Sequence, residues 1–216
     1  MNESLLAAAL DEVRAYYKSQ NMGNRIGFGK KPAIVVIDYQ KCLTDPTKPA
    51  GSNMDAEILS TAKLLDKARE KGVRIIFTVT TYAEDGFDGG LWVKKVPVTG
   101  TWKDGSEDGE LDERLNHRPG EIIMVKKYCS IFSSTALASF LTAEGIDTLI
   151  VTGCSTSGCI RASVTDSACN GFRTILPREC IGDRAQIPHE VNLLDMDTRF
   201  ADVLPLQEVM AYLDKL

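Results

Sequence analysis

The chain has 216 residues, enough for one domain with a sizeable core, and its 44% hydrophobic and 25% charged residues are typical of globular proteins. The net charge of −5 and the lack of basic runs argue against nucleic acid as a partner. No apolar run approaches the roughly 20 residues of a membrane span, and residues 1–4 lack the basic start of a secretory signal. We therefore expect a cytoplasmic protein that binds no membrane.

Apolar residues recur at helical and strand spacings in alternation along the chain. A helix is predicted over 4–19, and a glycine-rich link over 23–29 follows it. Between the second and third predicted strands lies a polar segment over 82–120, whose length favours a functional role. The predicted strands cover 33–37, 73–79, 121–125, 148–152 and 173–176. The other predicted helices cover 55–71, 134–144, a stretch that begins at Cys159, 188–202 and 205–215.

Strands that alternate with helices indicate a single three-layer α/β/α domain with a mostly parallel, Rossmann-like sheet. We divide the chain into an N-terminal helix and linker, 1–29, and the α/β domain, 30–216. The first helix has an apolar face with no evident strand partner. We therefore expect it to contact a second subunit in a homo-oligomer, a dimer or a tetramer.

Three reactive side chains lie where predicted strands end. Asp38 directly follows 33–37, Lys126 directly follows 121–125, and Cys159 follows the fourth strand through a turn of small residues. Ligands of parallel sheets bind beyond the carboxyl ends of the strands, so these three groups are expected together. A thiol at a helix N-terminus favours the thiolate form and lies near free N–H groups that can stabilise an oxyanion. The pattern predicts a cysteine nucleophile.

Several segments resemble the isochorismatase-like cysteine hydrolases, and most of all their N-carbamoylsarcosine amidohydrolase branch. In this family the catalytic triad consists of an aspartate, a lysine and a cysteine, so the resemblance implies these roles for Asp38, Lys126 and Cys159. The family's lysine stands six positions before the phenylalanine of a Ser-Ala-Phe-like motif, which selects Lys126 over its neighbour. The segments are 37–40, 90–92 with 95–97, 125–132, 153–161, 171–173 and 177–184.

The resemblance also implies how a substrate is held. Backbone N–H groups of Ser155 and Cys159 are expected to bind the oxyanion, after a cis peptide bond between Cys154 and Ser155. Arg184 stands where relatives with acidic substrates keep an arginine, and guanidinium pairs well with carboxylate. Its alternative interpretation is a structural salt bridge with Asp183 or Glu179. The side chains of Tyr39, Trp92 and Phe132 are candidates for the pocket wall, although aromatic residues more often serve plain packing.

These features predict an amidohydrolase that releases ammonia from a small carboxylate-bearing ureido or amide compound. N-carbamoylsarcosine is the first candidate, maleamate the second, and biuret or ureidoacrylate a weaker option. A catalytically silent scaffold or binding protein is the alternative of a different class. No cofactor is expected. Metal-binding relatives use histidine after the first strand, and residues 39–54 contain none, so no metal is expected either.

Overall fold

The computed structural model describes residues 3–216, and within them seven parallel strands form one sheet. They are β1 (Pro32–Ile37), β2 (Arg74–Thr80), β3 (Ile122–Lys126), β4 (Thr148–Cys154), β5 (Arg173–Pro177), β6 (Ile181–Gly182) and β7 (Asp202–Leu204). The sheet order is β3-β2-β1-β4-β5-β7, and the short β6 pairs with β4. Every residue of β1 and β4 is buried, as is usual for a parallel sheet covered on both faces.

Eight α-helices accompany the strands within residues 3–216. They are α1 (Glu3–Ser19), α2 (Lys41–Thr44), α3 (Asp55–Glu70), α4 (Gly90–Lys95), α5 (Leu137–Ala143), α6 (Arg161–Cys169), α7 (Gln186–Arg199) and α8 (Leu206–Asp214). Over this described part of the chain, no helix combines the length and apolarity needed to cross a bilayer.

Alternate residues of β1 contribute to two separate hydrophobic cores, because successive side chains of a strand point to opposite faces. Ile34 and Val36 belong to one core, and Val35 and Ile37 belong to the other. The first core contains residues of α3 and α8, such as Leu64 and Val209, and the second contains residues of α5, α6 and α7, such as Leu137, Val164 and Leu193. The predicted three-layer α/β/α architecture with its parallel sheet is confirmed.

The C-terminal part of the sheet differs from the prediction. The helix expected over 188–202 ends at Arg199, and Asp202 begins the edge strand β7 instead. The buried Asp202 carboxylate accepts hydrogen bonds from the backbone N–H groups of Ile26, at 3.1 Å, and Gly27, at 2.7 Å. Helical spacing misses this strand because its backbone is held by the distant N-terminal linker and by pairing with β5.

The N-terminal helix α1 packs against α7 of its own chain. Leu10 is buried in this contact, and the Arg199 guanidinium lies 4.9 Å from the centre of the Tyr17 ring. Leu5 and Tyr16 remain exposed. The helix therefore has a partner within the domain that its sequence did not reveal, while its contact with a second subunit stays a prediction. Met1 and Asn2, which begin the predicted segment 1–29, lie outside the described residues.

Candidate active site

The sheet order reverses between β1 and β4, and two of the three predicted reactive side chains follow these strands. Asp38 leaves β1 with a left-handed backbone (φ 53°), which aspartate tolerates better than most residues. Cys159 follows β4 through a turn. Such a reversal point is where open α/β sheets bind their ligands, beyond the carboxyl ends of the strands.

Lys126 joins the other two residues. Its Nζ lies 2.7 Å from Asp38 Oδ2 and 3.2 Å from Cys159 Sγ. All three side chains are at most 8% exposed. The structure therefore brings together the three strand-end residues that the sequence singled out, with the ammonium between the carboxylate and the thiol.

Two threonines of β2 form hydrogen bonds with this cluster. Thr78 Oγ1 donates to Asp38 Oδ1 at 2.8 Å, and Thr80 Oγ1 donates to Asp38 Oδ2 at 3.2 Å. The Thr80 hydroxyl also accepts from Lys126 Nζ at 2.8 Å. Gln40 in turn accepts from the Thr80 N–H at 2.6 Å and donates to the Thr80 carbonyl at 3.0 Å. Both carboxylate oxygens of Asp38 are thus fixed before any substrate arrives.

The charge state of Lys126 follows from its two neighbours. Complete burial alone would lower the pKa of the ammonium. The Asp38 carboxylate and Cys159 outweigh this desolvation and raise the pKa of Lys126 above its ordinary value. The lysine therefore remains a cation at neutral pH. It also lies 5.6 Å from the centre of the Trp92 ring, a cation–π distance.

The turn that carries Cys159 depends on a glycine. Gly153 has a φ of 116°, and a Cβ there would lie 2.0 Å from the Ile37 carbonyl oxygen of the adjacent β1. The peptide bond between Cys154 and Ser155 is cis, as the resemblance implied. A π-helical turn over Thr156–Ile160 follows, in which the Ser155 carbonyl accepts from the Ile160 N–H at 3.2 Å. Cys159 thus lies inside this turn, not at the start of the predicted helix, which begins at Arg161.

A second thiol, that of Cys129, influences the pKa of Cys159 and is influenced by it. Cys159 lowers the pKa of Cys129 to about 7 against the effect of burial, and Lys126 adds to the lowering. Cys129, burial and the Asp38 carboxylate raise the pKa of Cys159, while Lys126 opposes them.

Above the cluster lies a cavity of about 320 Å³. Asp38 and Cys159 lie at its base, and Trp92 lines it as predicted. Its remaining lining residues are mostly apolar or small, and Arg184 is the cationic side chain among them. A cavity of this size suits a small ligand. The lining comprises Asp38, Leu43, Pro49, Ala50, Trp92, Val96, Val98, Thr99, Trp102, Ser155, Ser157, Gly158, Cys159 and Arg184.

Arg184 is held by groups of the cavity rather than by the carboxylates considered as its alternative partners. Its Nε donates to the Ala50 carbonyl at 2.7 Å, and an Nη donates to Ser155 Oγ at 3.2 Å. Asp183 accepts from the Ser157 N–H, and Glu179 accepts from the Leu206 N–H. The guanidinium therefore keeps capacity to bind an anion in the cavity.

The other two predicted pocket aromatics lie elsewhere. Tyr39 is completely buried in the first core, and its hydroxyl donates to the Cys180 carbonyl at 3.0 Å. Phe132 packs in the second core, with its ring centre 6.1 Å from that of Phe172. Both side chains therefore pack with the cores rather than line this cavity.

A family model described as the Isochorismatase domain matches residues 32–208. The chain belongs to the isochorismatase family. The match begins at the first residue of β1 and includes Asp38, Lys126 and Cys159. The whole cluster thus lies within the isochorismatase domain.

Two curated relatives and two solved structures resemble this isochorismatase-family chain over most of its length. It is 43% identical to the maleamate amidohydrolase of Pseudomonas putida, over 90% of this chain and 92% of the relative. It is 38% identical to the N-carbamoylsarcosine amidase of an Arthrobacter species, over 99% of this chain and 84% of the relative.

The solved structures share the fold. A cysteine hydrolase from Pseudomonas syringae pv. phaseolicola matches with a TM-score of 0.81 at 24% identity, over 86% of this chain and 93% of that one. The N-carbamoylsarcosine amidase from Thermoplasma acidophilum matches with a TM-score of 0.68 at 20% identity, over 82% and 97%.

Sequence reasoning missed the supporting residues of this isochorismatase-family site. Thr78 and Thr80 stand two positions apart on β2, so they share one face of the strand, and Gln40 follows Asp38 by two residues. The sequence signal for these supporting residues was the pair of threonines at the end of a predicted strand. Cys129 follows the predicted lysine by only three residues and was likewise not among the predicted site residues.

Proposed function

We propose that this protein is an amidohydrolase that releases ammonia from a small amide bearing a carboxylate, through an acyl group carried on Cys159. One observation carries the proposal: a buried Lys126 bridges the Asp38 carboxylate and the Cys159 thiol at the base of a cavity that also presents Arg184. A nucleophile, a proton carrier, a fixed cation and an anion-binding group are the parts that amide hydrolysis needs. A silent scaffold has no need for a buried ion pair at a cavity floor.

The first half of the reaction acylates the cysteine. Asp38 takes the proton of the Cys159 thiol, and Lys126 stabilises the thiolate. The sulfur attacks the amide carbonyl carbon, a C–S bond forms, and the carbonyl oxygen becomes an oxyanion. The backbone N–H groups of Ser155 and Cys159 are the proposed donors to that oxygen. The C–N bond then breaks, and Asp38 gives its proton to the nitrogen, which leaves as ammonia.

The second half releases the product acid. A water molecule attacks the thioester carbon, with Asp38 as the general base, and the C–S bond breaks. The cysteine recovers its proton from Asp38. Because the two threonines and Lys126 fix both oxygens of Asp38, the carboxylate serves each half-reaction without changing its position.

Arg184 supports a carboxylate at the far end of the substrate. A guanidinium binds a carboxylate through two parallel, charge-assisted hydrogen bonds. The hydroxyl of Ser155 orients the guanidinium at 3.2 Å. Apolar lining residues, including Val96, Val98 and Trp102, suit an uncharged middle section between the two ends.

Maleamate is our first candidate substrate, because the relative at 43% identity acts on it by name. This reverses the order that the sequence segments suggested. N-carbamoylsarcosine is the second candidate, since the relative named for it aligns with 99% of this chain. The two compounds share a skeleton in which two atoms separate the amide carbon from the carboxylate carbon. One arginine and one cysteine at a fixed spacing therefore suit both, and the choice depends on the apolar wall.

The experiment is ammonia release from maleamate, from N-carbamoylsarcosine and from the neutral diamide maleamide. We expect the highest kcat/KM on maleamate and little turnover of the diamide, which lacks the carboxylate. Cys159→Ala should lower kcat by roughly a thousandfold or more, while Cys169→Ala, which removes an exposed thiol of α6, should match the wild type.

Equal turnover of maleamide and maleamate would contradict the role of Arg184. Turnover of N-carbamoylsarcosine alone would replace the first candidate by the second. Absence of ammonia release from all three compounds would contradict the proposed function.

A further inference from the structure

Three hydrogen bonds join residues 155–157, at the start of the π-helical turn, to residues 182–184. They connect consecutive residues of the two segments: Arg184 Nη1 donates to Ser155 Oγ at 3.2 Å, Thr156 Oγ1 donates to the Gly182 carbonyl at 3.0 Å, and the Ser157 N–H donates to Asp183 Oδ2 at 2.7 Å. Because β6 pairs with the end of β4, the two segments leave the sheet side by side. The position of this turn is therefore coupled to that of Arg184.

His189 of α7 makes a fourth contact, at the middle one of these three bonds. Its Nδ1 lies 2.7 Å from Oγ1 of the completely buried Thr156. A hydroxyl carries one proton, and Thr156 donates it to the Gly182 carbonyl, so the ring nitrogen is the donor. Burial lowers the pKa of His189, and a neutral imidazole has a single N–H. The ring proton therefore belongs on Nδ1.

The contact with His189 fixes the backbone next to a proposed oxyanion donor. Thr156 directly follows Ser155, and its hydroxyl is held at once by a donor from α7 and by an acceptor from β6. Both elements are anchored in the domain, since Leu193 and Met196 of α7 are buried in the second core and β6 pairs with β4. Donors that stabilise an oxyanion are most effective when they are held in place before the charge develops.

We propose that His189 is a positioning residue for the amide hydrolysis: its Nδ1–H holds Thr156 on Gly182 and thereby keeps the oxyanion donors in place. This role rests on the proposed function, whereas the bond from His189 to Thr156 does not. Among the described residues, His189 is not part of the cavity lining, so it acts through Thr156 rather than on the substrate. Its loss should therefore affect the transition state more than substrate binding.

Leucine and asparagine provide a matched pair of replacements for His189. Their side chains have nearly the same shape, but only asparagine can offer an N–H where the histidine has Nδ1. His189→Leu should lower kcat about ten- to a hundredfold, because a small displacement of positioned groups lowers the rate by that order. KM should change little, since Arg184 keeps its bond to the Ala50 carbonyl. His189→Asn should recover most of the lost kcat.

Thr156→Val removes the other partner of the bond and should lower kcat by a similar factor. Added to His189→Leu, it should cause little further loss, because both changes act through one interaction. His117→Leu is the control, since His117 is exposed and its Nε2 lies 3.2 Å from the Glu121 carbonyl. It should match the wild type. Circular dichroism confirms that each variant is folded.

The position of the ring proton can be read directly by nitrogen-15 NMR. The chain contains two histidines, and His117→Leu assigns their signals. We expect His189 to carry its proton on Nδ1 at pH 7. A proton on Nε2 would overturn the proposal, and so would a His189→Asn variant as slow as His189→Leu or losses that multiply in the double variant.

Amide hydrogen exchange over residues 155–160 reports on the turn without turnover. We expect exchange to be faster in His189→Leu and close to the wild-type rate in His189→Asn. If the protein releases no ammonia but shows this exchange pattern and the Nδ1 proton, only the proposed function is contradicted. Unchanged exchange in His189→Leu would overturn the positioning role of His189, whatever the activity.

Discussion

The strand-end cluster and the cavity wall are held in different ways. The strand-end cluster, formed by Asp38, Lys126, Cys159, Thr78 and Thr80, is buried, and its hydrogen bonds join neighbouring strands of one sheet. The cavity wall, formed by residues 90–102 with Arg184, consists of short helical turns in which most residues are exposed or partly exposed, whereas Thr99 and Trp102 are buried. Leu91 within it is 79% exposed, and Val96 is also exposed.

This contrast indicates that the chemical step and the choice of substrate depend on different parts of the molecule. Groups on adjacent strands of a packed sheet keep fixed distances, as proton transfer and nucleophilic attack require. The exposed residues of such turns tolerate changes of sequence because few core contacts depend on them. One sheet edge can therefore serve related amides, while the wall selects among them. Changes in the cluster should affect kcat, and changes in the wall should affect KM.

Replacement of Lys126 by methionine should have the largest effect. It leaves the buried Asp38 carboxylate without its cation, which costs about 3–5 kcal/mol in the free energy of unfolding. It also removes the charge that stabilises the thiolate, so kcat should fall by roughly a thousandfold. Urea unfolding and ammonia release measure the two effects.

Lys127→Met is the matched control for that variant. Lys127 pairs with the partly exposed Asp88 at 2.7 Å and donates to the Thr81 carbonyl at 2.7 Å, so its loss should cost about 1–3 kcal/mol, less than that of Lys126, and leave most of the turnover. Equal losses in the two variants would contradict the separation of cluster and wall, because Lys127 bonds to the segment that leads to the wall.

Arg184→Gln should have the second-largest effect, a loss of about 10- to 100-fold in kcat/KM on maleamate. A hydrogen bond to a charged group contributes about 1.5–3 kcal/mol, and glutamine supplies no charge. The loss should lie in KM, with kcat changed little, and Arg178→Gln, which removes a surface ion pair with Glu190, should behave as the wild type. A loss confined to kcat would assign Arg184 to the cluster instead.

The next smaller effect should appear in the pH dependence of thiol alkylation. The pKa of Cys129 is about 7 beside Cys159 and Lys126, so this thiol loses its proton near that pH. Alkylation by iodoacetamide should therefore fall about tenfold per pH unit below 7 and level off above it. Cys129→Ala should remove this midpoint, because the pKa of the remaining Cys159 is raised by burial and by Asp38. An unchanged midpoint would show that Cys129 is not the thiol that titrates near pH 7.

Thr80→Val should have the smallest effect. The change keeps the shape of the side chain but removes the hydroxyl between Asp38 and Lys126, which costs about 1–1.5 kcal/mol and up to tenfold in kcat. Thr80→Ser restores the hydroxyl and should recover both stability and turnover. If valine and serine lose equally, packing of the methyl group, rather than positioning of Asp38, is the role of Thr80.

The position of the cluster could be predicted from the sequence, whereas the hydrogen bonds that hold it in place could not. Polar residues that follow apolar strands must meet at one edge of a parallel sheet, and this alone places Asp38, Lys126 and Cys159 together. The hydrogen bonds of Thr78 and Thr80 depend on the register between β1 and β2, which apolar runs do not encode.

The cavity was harder to predict than the sheet edge. Trp92 lines it, but Tyr39 and Phe132 pack in the cores, because the sequence does not show whether an aromatic side chain turns towards the cavity or towards a core. The edge strand β7 was missed for a similar reason. Its position depends on hydrogen bonds from the N-terminal linker to Asp202, a long-range contact without a periodic signal.

The most direct test of the account is to identify the atom that carries the acyl group during turnover. Wild-type protein is mixed with whichever candidate amide it hydrolyses, quenched with acid within the first turnovers, and analysed by peptide mapping. Hydroxylamine in a parallel reaction captures the acyl group as a hydroxamate. We predict a thioester on the peptide that contains Cys159 and a hydroxamate that disappears in Cys159→Ala. An acyl group on Cys129, or hydroxamate formation by Cys159→Ala, would contradict the central claim.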